Sequence, residues 1–332
     1  NILSNKNVAI GKSALATHNL GSAGDGHNVA IGYNAGALVS TGTGNTLVGA
    51  LAGDAITTGA NNIAIGYLAL STENAHGNNI AIGAGALLNQ DAGADAFNVA
   101  IGHNAGLTIT TGAFNTLIGG IAGDALTTGN TNTAVGYRAL SAETLGDANV
   151  AIGTNALKSQ NNTSDTDVYN VAIGHNAGTV VTTAADNVII GGLAGDALTT
   201  GSNNVAIGKE ALSTEDAHGS NVAVGYRALK VQDAGAEAYN VAVGKDAGLS
   251  VSTGIRNTLI GGFAGDSITT GMHNVALGHA ALETEVTGNF STAIGYGALR
   301  SQNTSTNNYN TAVGYNAGSL TTTGVDSVLI GG

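Results

Sequence analysis

A five-residue pattern of one polar residue, three apolar residues and one glycine recurs along the whole chain, as in Asn28-Val29-Ala30-Ile31-Gly32. Its nineteen copies begin at residues 7, 28, 45, 62, 79, 98, 115, 132, 149, 170, 187, 204, 221, 240, 257, 274, 291, 310 and 327. The first position is Asn in seventeen copies and Ser in two, the fourth is Ile, Val or Leu, and the fifth is always Gly. β-Branched residues between an Asn and a Gly predict a short β-strand in each copy.

The copies follow one another at steps of 17 residues, with longer steps of 19 or 21 residues at fixed points, and we call each step a coil. Four coil types alternate in a fixed order. The first type reads NVAIGxNAG or close to it, from residues 28, 98, 170, 240 and 310, and the second reads NTLIGG or a near variant. The four types form a super-repeat of 70 or 72 residues, whose extra length falls in one coil, as in 90–97 and 159–169. Such a period predicts a solenoid with an exposed loop on one side.

The predicted fold is therefore all-β, a parallel β-roll or β-helix solenoid of about nineteen coils, with residues 1–332 as a single repeat array. A second extended segment, such as 125–128, suggests two strands in each coil. Stacking at ~4.8 Å per coil would give a rod of about 90 Å. Residues 1–6 resemble the tail of a preceding coil, and the chain stops inside a unit at Gly332, so we expect the array to be part of a longer fibre.

Strand alternation places Val29 and Ile31 on one face and Ala30 on the other. A strand that is apolar on both faces is normally covered on both faces. Because a two-stranded roll covers only its interior, the Ala-bearing face is expected to pack against sister chains, most economically in a parallel homotrimer. A larger residue replaces this Ala once per super-repeat, at Leu47, Leu117, Ile189, Leu259 and Leu329.

The column of first-position asparagines predicts a structural ladder along the solenoid. We expect each amide side chain to bond its equivalents one coil above and one coil below, which would fix the register of the stack. The ladder includes Asn28, Asn45, Asn62, Asn98, Asn115, Asn170, Asn187 and Asn240.

Composition excludes several other classes of protein. The chain has 52 Gly but no Pro, no Cys and no Trp, so collagen, disulfide frameworks and thiolate metal sites are excluded. Four Phe, nine Tyr and one Met cannot fill conventional large cores, whereas abundant aliphatic residues argue against disorder. A net charge of −12 disfavours nucleic-acid binding, and no apolar run approaches the length of a membrane-spanning helix.

The motif N-V-A-I-G-x-x-A resembles the N-S-V-A-I-G-x-x-S/A head repeats of YadA-type trimeric autotransporter adhesins. The four-coil N-T-A-I-G-x-x-A-L pattern is similar to repeats of phage-type tail fibres. The resemblance implies a left-handed, homotrimeric β-roll that serves as a structural or adhesive fibre outside the cell, on the cell surface or in a virion tail. Its partners would be identical chains and a host receptor, glycan or matrix protein. This chain departs from the adhesin pattern in its longer coils and in Asn-Val or Asn-Thr where the adhesins have Asn-Ser-Val.

A calcium site is the sharpest alternative reading of one segment. Residues 191–198 match the calcium-binding nonapeptide GGxGxDxU except at its fourth position, and the aspartates concerned are Asp54, Asp124, Asp196 and Asp266. Nonapeptide sites need tandem motifs that share each ion, but here the motif returns only once per super-repeat. The simpler interpretation is an Asp that accepts backbone N–H bonds at a turn, so we expect neither metal nor cofactor.

An enzyme of the hexapeptide acyltransferase class is a further alternative, because I-G-x-x-A-G matches one rung of that fold. Such an enzyme needs a catalytic His with a partner and an active-site loop. The eight histidines occupy different coil positions, which favours solvated loop residues and a protein that is not an enzyme; they are His18, His27, His76, His103, His175, His218, His273 and His279.

One aromatic column, which we call the ridge, lies directly before an Asn at the end of the long loop and comprises Phe97, Tyr169, Tyr239 and Tyr309. It could shield the coil edge by local packing, or it could contact a receptor, a glycan or a neighbouring fibre. The leading functional hypothesis is a non-enzymatic fibre segment of a surface adhesin or tail fibre. A self-assembling secreted filament subunit is the second hypothesis.

Overall fold

The structure is a computed structural model that describes residues 4–21, 24–164 and 166–332. The chain folds as two compact units, Asn1–Tyr169 and Asn170–Gly332. Both are built from parallel strands, and helices are absent from the described residues. Residues 1–3 of the segment expected to resemble a coil tail lie outside the described residues.

The first unit contains β1 (Ser4–Asn5), β2 (Val8–Ile10), β3 (Gly24–Asp25), β4 (Val29–Ile31), β5 (Thr46–Val48), β6 (Ile63–Ile65), β7 (Ile80–Ile82), β8 (Val99–Ile101), β9 (Thr116–Ile118), β10 (Thr133–Val135) and β11 (Val150–Ile152). The second contains β12 (Val171–Ile173), β13 (Val188–Ile190), β14 (Val205–Ile207), β15 (Val222–Val224), β16 (Val241–Val243), β17 (Thr258–Ile260), β18 (Val275–Leu277), β19 (Thr292–Ile294), β20 (Thr311–Val313) and β21 (Val328–Ile330).

The strands pair in parallel and in strict register within each unit. Val29 of β4 pairs with Thr46 of β5, and Ala30 with Leu47. The β-solenoid of about nineteen coils predicted from the period is thereby confirmed. The expected second strand in each coil is wrong: in the described residues each coil has one repeat strand of three residues, and 125–128 is turn and bend.

The fifth-position glycines allow adjacent coils to approach closely. Gly32 has a φ of 142°, and a Cβ at this position would lie 2.4 Å from the carbonyl oxygen of Gly49. A Cβ on Gly49 would likewise lie 2.4 Å from the carbonyl oxygen of Gly66. A side chain would therefore push each coil away from the next, which explains why this position is Gly in every copy.

The prediction about the two strand faces is wrong. Ala30 and Ala64 are completely buried inside the solenoid, whereas Ile31 and Ile65 are more than a third exposed. The chain itself covers the Ala-bearing face, because the invariant Ala seven residues after the first position of the repeat lies in the same interior, as Ala35 does. The face left open is the one with the β-branched residues, such as Ile31 and Ile65.

Glycines within the same chain make room for the larger residue at the strand centre of the second coil type. A Cβ on Gly36 would lie 2.6 Å from Leu47 Cδ1, and a Cβ on Gly53 would lie 2.7 Å from Leu47 Cδ2. The third and fourth coil types reverse the arrangement, with Ala at the strand centre and buried Leu70 and Leu87 at the Gly position. Large and small residues thus alternate between coils to fill a thin core.

Candidate functional site

The asparagine column lies buried at the start of the strands and joins consecutive coils. All eight asparagines named for the ladder are fully buried. Asn28 Oδ1 accepts a hydrogen bond of 2.9 Å from the backbone N–H of Asn45, and Asn28 Nδ2 donates to the carbonyl oxygen of Gly42 at 2.9 Å. Each side chain therefore satisfies one backbone donor and one backbone acceptor that would otherwise be buried without partners.

This network differs from the amide-to-amide ladder expected from the sequence. The bond between consecutive asparagines runs from side chain to backbone, as in Asn62 N–H to Asn45 Oδ1 at 2.9 Å. A bond between two amide side chains joins only some pairs, such as Asn187 Nδ2 to Asn170 Oδ1 at 3.2 Å. The side-chain oxygen bonds to the backbone because the buried N–H at the start of each strand needs an acceptor.

The outer strand face, which we define as the second and fourth positions of the five-residue repeat, is an apolar surface. It carries only Val, Ile, Leu and Thr in all nineteen copies. Ile31, Ile118 and Ile173 are 36–37% exposed. Because these positions stack in register, the face continues from coil to coil within each unit.

The ridge lies on the surface, with each of its four residues 50–55% exposed. Each has a left-handed backbone conformation with φ of 52–53°, which turns its side chain outward immediately before the strand. Phe97 stacks on Phe114 of the next coil at 5.7 Å between ring centroids, and Tyr309 stacks on Phe290 at 5.2 Å. Phe114 and Phe290 extend the same column, and sequence reasoning missed them because they do not follow the long loop.

A second aromatic column follows the fifth-position Gly, and we call it the tyrosine column. It comprises Tyr33, Tyr67, Tyr137, Tyr226, Tyr296 and Tyr315, all exposed. Tyr296 stacks on Tyr315 at 5.3 Å, and the Arg227 guanidinium lies 4.8 Å from the centroid of Tyr226. The recurring Gly-Tyr pair was the sequence signal that could have identified it. The ridge precedes the strands and the tyrosine column follows them, so the two columns border the outer strand face.

The four aspartates considered for calcium lie half-buried in equivalent turns of successive super-repeats. Burial raises the pKa of Asp54, Asp124 and Asp196, and burial together with Glu283 raises the pKa of Asp266 to about 6. Calcium needs six to eight oxygen ligands. Among the described residues, none of these aspartates belongs to a group of three acidic or His side chains close enough to share an ion.

Each super-repeat also buries one Glu and one Gln at a single interior position of its third and fourth coils. The pairs are Glu73 with Gln90, Glu143 with Gln160, Glu215 with Gln232, and Glu285 with Gln302, all fully buried. The first and second coil types carry buried aliphatic residues there, as at Val39 and Ile56. Sequence reasoning missed these pairs because a charged residue in a solenoid repeat suggests the surface.

The glutamines connect the buried glutamates to the asparagine ladder. Gln302 Nε2 donates to Glu285 Oε2 at 3.0 Å, and Gln302 Oε1 accepts from Asn310 Nδ2 at 2.7 Å. Gln90 makes the same contact with the ladder, accepting from Asn98 Nδ2 at 3.0 Å. A buried polar network of this kind specifies one register of the coils.

The expectation that all histidines are solvated in loops is wrong for His18. Its side chain is 1% exposed at the interior position that carries Glu or Gln elsewhere, and burial lowers its pKa. His76 and His218 lie half-buried, each with Nδ1 3.5 Å from Oε1 of a buried glutamate.

Within the described residues, no helix is both long enough and apolar enough to cross a membrane. No protein-family model matches the chain, and comparison with the curated proteins finds no significant match. The resemblance to adhesin heads and tail fibres therefore rests on the repeat pattern alone and stays a prediction.

Proposed function

We propose that this chain is a non-enzymatic structural and adhesive fibre segment of a cell-surface adhesin or a phage-type tail fibre, and that it acts outside the cell. In this proposal the solenoid is left-handed, and three identical chains associate in parallel. The observation that carries the proposal is the outer strand face, which is apolar, partly exposed and repeated in register.

A second copy of the same chain is the occupant that fits this face best. Strand positions that face water normally carry polar or charged residues. None of the nineteen copies, however, has a charged residue at the second or fourth position. Continuous exposed apolar surfaces are typical of protein–protein interfaces. Since every coil presents the same face, parallel copies of equal period could match coil for coil.

Adhesion is assigned to the ridge and the tyrosine column. Aromatic side chains combine a large apolar surface with, in tyrosine, a hydroxyl group that bonds polar partners. Such columns suit a host receptor, a glycan or a matrix protein. Their stacking between coils orders the rings before binding, which lowers the entropic cost of recognition.

Analytical ultracentrifugation of the full chain tests the association. We expect a discrete trimer for the natural sequence and dissociation to monomers for Ile65→Glu/Ile118→Glu, because both substitutions would place charges in the interface. The control Ala94→Glu/Thr163→Glu adds the same charge at exposed loop positions and should leave the trimer intact.

Three outcomes would contradict the proposal. A stable monomer of the natural sequence would remove the trimer, and open polymers would favour the self-assembling filament. Turnover of an acyl donor would favour the hexapeptide acyltransferase class.

A further inference from the structure

Two clusters of a glutamate, a histidine and an aspartate occupy equivalent places in the first and third super-repeats. The first consists of Glu73, His76 and Asp91. The second consists of Glu215, His218 and Asp233, with Asp216 beside them. In each cluster the candidate ligand atoms lie within 4.8 Å of one another. The glutamate is fully buried, the histidine is half-buried, and the aspartate is exposed at the mouth.

The equivalent glutamates of the second and fourth super-repeats show what a satisfied carboxylate looks like at this position. Glu143 accepts hydrogen bonds from six donor groups: the backbone N–H of Thr144, Leu145, Gly146 and Asn162, and the side-chain amides of Gln160 and Asn162. Glu285 accepts from five: the backbone N–H of Val286, Gly288 and Thr304, and the amides of Gln302 and Asn308.

The glutamates of the two clusters lack most of these donors. Glu73 accepts one hydrogen bond, from the His76 backbone N–H at 3.1 Å, and its buried Oε2 has no partner. Glu215 accepts from His218 N–H and, at 3.3 Å, from Gln232 Nε2. The Nδ1 atoms of both histidines are buried without a hydrogen-bond partner. A buried carboxylate with so few donors is costly in its charged form, and a nearby cation would offset that cost.

The distance between imidazole and carboxylate fits coordination of one ion. Nδ1 lies 3.5 Å from the glutamate Oε1 in both clusters. Two ligand atoms about 2.1 Å from a tetrahedral zinc ion are separated by about 3.4 Å. The same spacing is too long for a good N–H···O hydrogen bond.

Two sequence differences occur together in the super-repeats that have a cluster. Where the clusters occur, His stands three residues after the glutamate and Asp one residue after the glutamine; elsewhere these positions carry Gly and Asn. A Cβ at Gly146 would lie 2.9 Å from the Glu143 carboxylate, so a side chain there crowds the carboxylate. The backbone N–H donates to Glu143 at 2.8 Å from Gly146, but to Glu73 at 3.1 Å from His76. A second carboxylate at the mouth is unfavourable beside a buried glutamate unless a cation lies between them.

We propose that each cluster binds one divalent transition-metal ion, for which Zn²⁺ is the best match, through a Glu oxygen, His Nδ1 and an Asp oxygen. Water completes the coordination. A mixture of imidazole and carboxylate ligands suits zinc more than calcium, which prefers oxygen alone. The bound ion would tie the third coil of the super-repeat to the fourth. This inference does not depend on the proposed fibre function.

Isothermal titration of the metal-free full chain with Zn²⁺ tests the proposal. We expect two sites per chain and a higher melting temperature with metal, because an ion that binds only the folded state stabilises it. Asp91→Asn/Asp233→Asn should weaken both sites at least ~10-fold. These side chains are exposed, so the variant should fold.

The control Asp186→Asn/Asp326→Asn removes the same charge at exposed positions that belong to neither cluster, and should retain both sites. His76→Gly should remove one of the two sites, and His76→Gly/His218→Gly both. Absence of Zn²⁺ binding, binding of Ca²⁺ in its place, or equal affinity in the Asn variant and the natural sequence would overturn the proposal.

Discussion

The second and fourth super-repeats differ from the first and third in the number of hydrogen-bond donors around one buried glutamate. Glu143 is surrounded by six donors, whereas Glu73 has one. Their strand positions correspond, their core positions stay aliphatic, and their ladder positions carry Asn except at Ser291 of the fourth super-repeat. The solenoid therefore fixes where the carboxylate lies, but the loops around it determine how its charge is compensated.

Much of this difference comes from the loop that follows the buried glutamine of the fourth coil. In the second super-repeat it supplies Asn162, whose N–H and amide both donate to Glu143, and in the fourth it supplies Asn308. In the first, Asp95 donates nothing to the glutamate and instead accepts from Gly77 N–H at 2.8 Å. The same solenoid position can therefore hold a hydrogen-bonded anion or a candidate ligand.

The largest expected difference is between Glu143→Gln and Glu73→Gln. In the first variant an amide group would face donors that need an acceptor, so we expect a loss of about 2–4 kcal/mol, whereas Glu73→Gln in metal-free protein should cost less than about 1 kcal/mol. Because repeat arrays do not unfold in a single step, native-state hydrogen exchange of the neighbouring amides is the appropriate measurement. Equal losses would show that the donors around Glu143 do not matter.

A smaller difference should separate Gly146→Ala from His76→Ala. The added Cβ at position 146 would lie 2.9 Å from both the Glu143 carboxylate and Val168 Cγ2, so we expect a loss of about 1–3 kcal/mol by overpacking. His76→Ala removes only a half-buried side chain and should have little effect without metal. Thermal denaturation of both variants with a chelator present makes the comparison, and a neutral Gly146→Ala would contradict it.

The third super-repeat should show a pH dependence that its glutamate causes. Burial raises the pKa of Glu215 above its usual value. This group therefore contributes stability that is fully present below the unfolded-state pKa of about 4.5 and is lost as the pH rises through the raised folded-state value. Glu215→Gln should flatten that part of the profile of melting temperature against pH, measured without metal. An unchanged profile would show that Glu215 does not titrate in this way.

The smallest expected effect on stability concerns two equivalent aspartates, Asp266 and Asp124, whose neighbours have opposite charges. Glu283 helps to raise the pKa of Asp266 to about 6, whereas Arg138 opposes the increase that burial causes at Asp124. Stability from Asp266 is present below about pH 3.8 and is lost as the pH rises through about 6, and solvent exposure should keep it under ~1 kcal/mol. An NMR titration should show Asp266 titrating at a higher pH than Asp124 and a lower Asp266 pKa in Glu283→Gln. The reverse order would contradict the role of these neighbours.

Some of the candidate sites could be identified from the sequence pattern, and others could not. The ridge could be identified because Phe97 and Tyr309 recur before an Asn, and the tyrosine column was equally visible as a Gly-Tyr pair. The His76 and His218 clusters could not be identified, because their aspartates lie one coil further along and the glutamates give no sign of being buried. Stacking of coils brings them together.

The sequence by itself determined the coil period, the parallel register and the place of the nineteen repeat strands, because an invariant Gly and a nearly invariant Asn mark each copy. Only the tertiary structure decided which strand face lies inside. Ala30 turns inward because Leu15 and Leu47 of the two adjacent coils already fill a narrow interior, and this leaves Ile31 outside. Alternation defines two faces of a strand, but the volume available between coils decides which of them is buried.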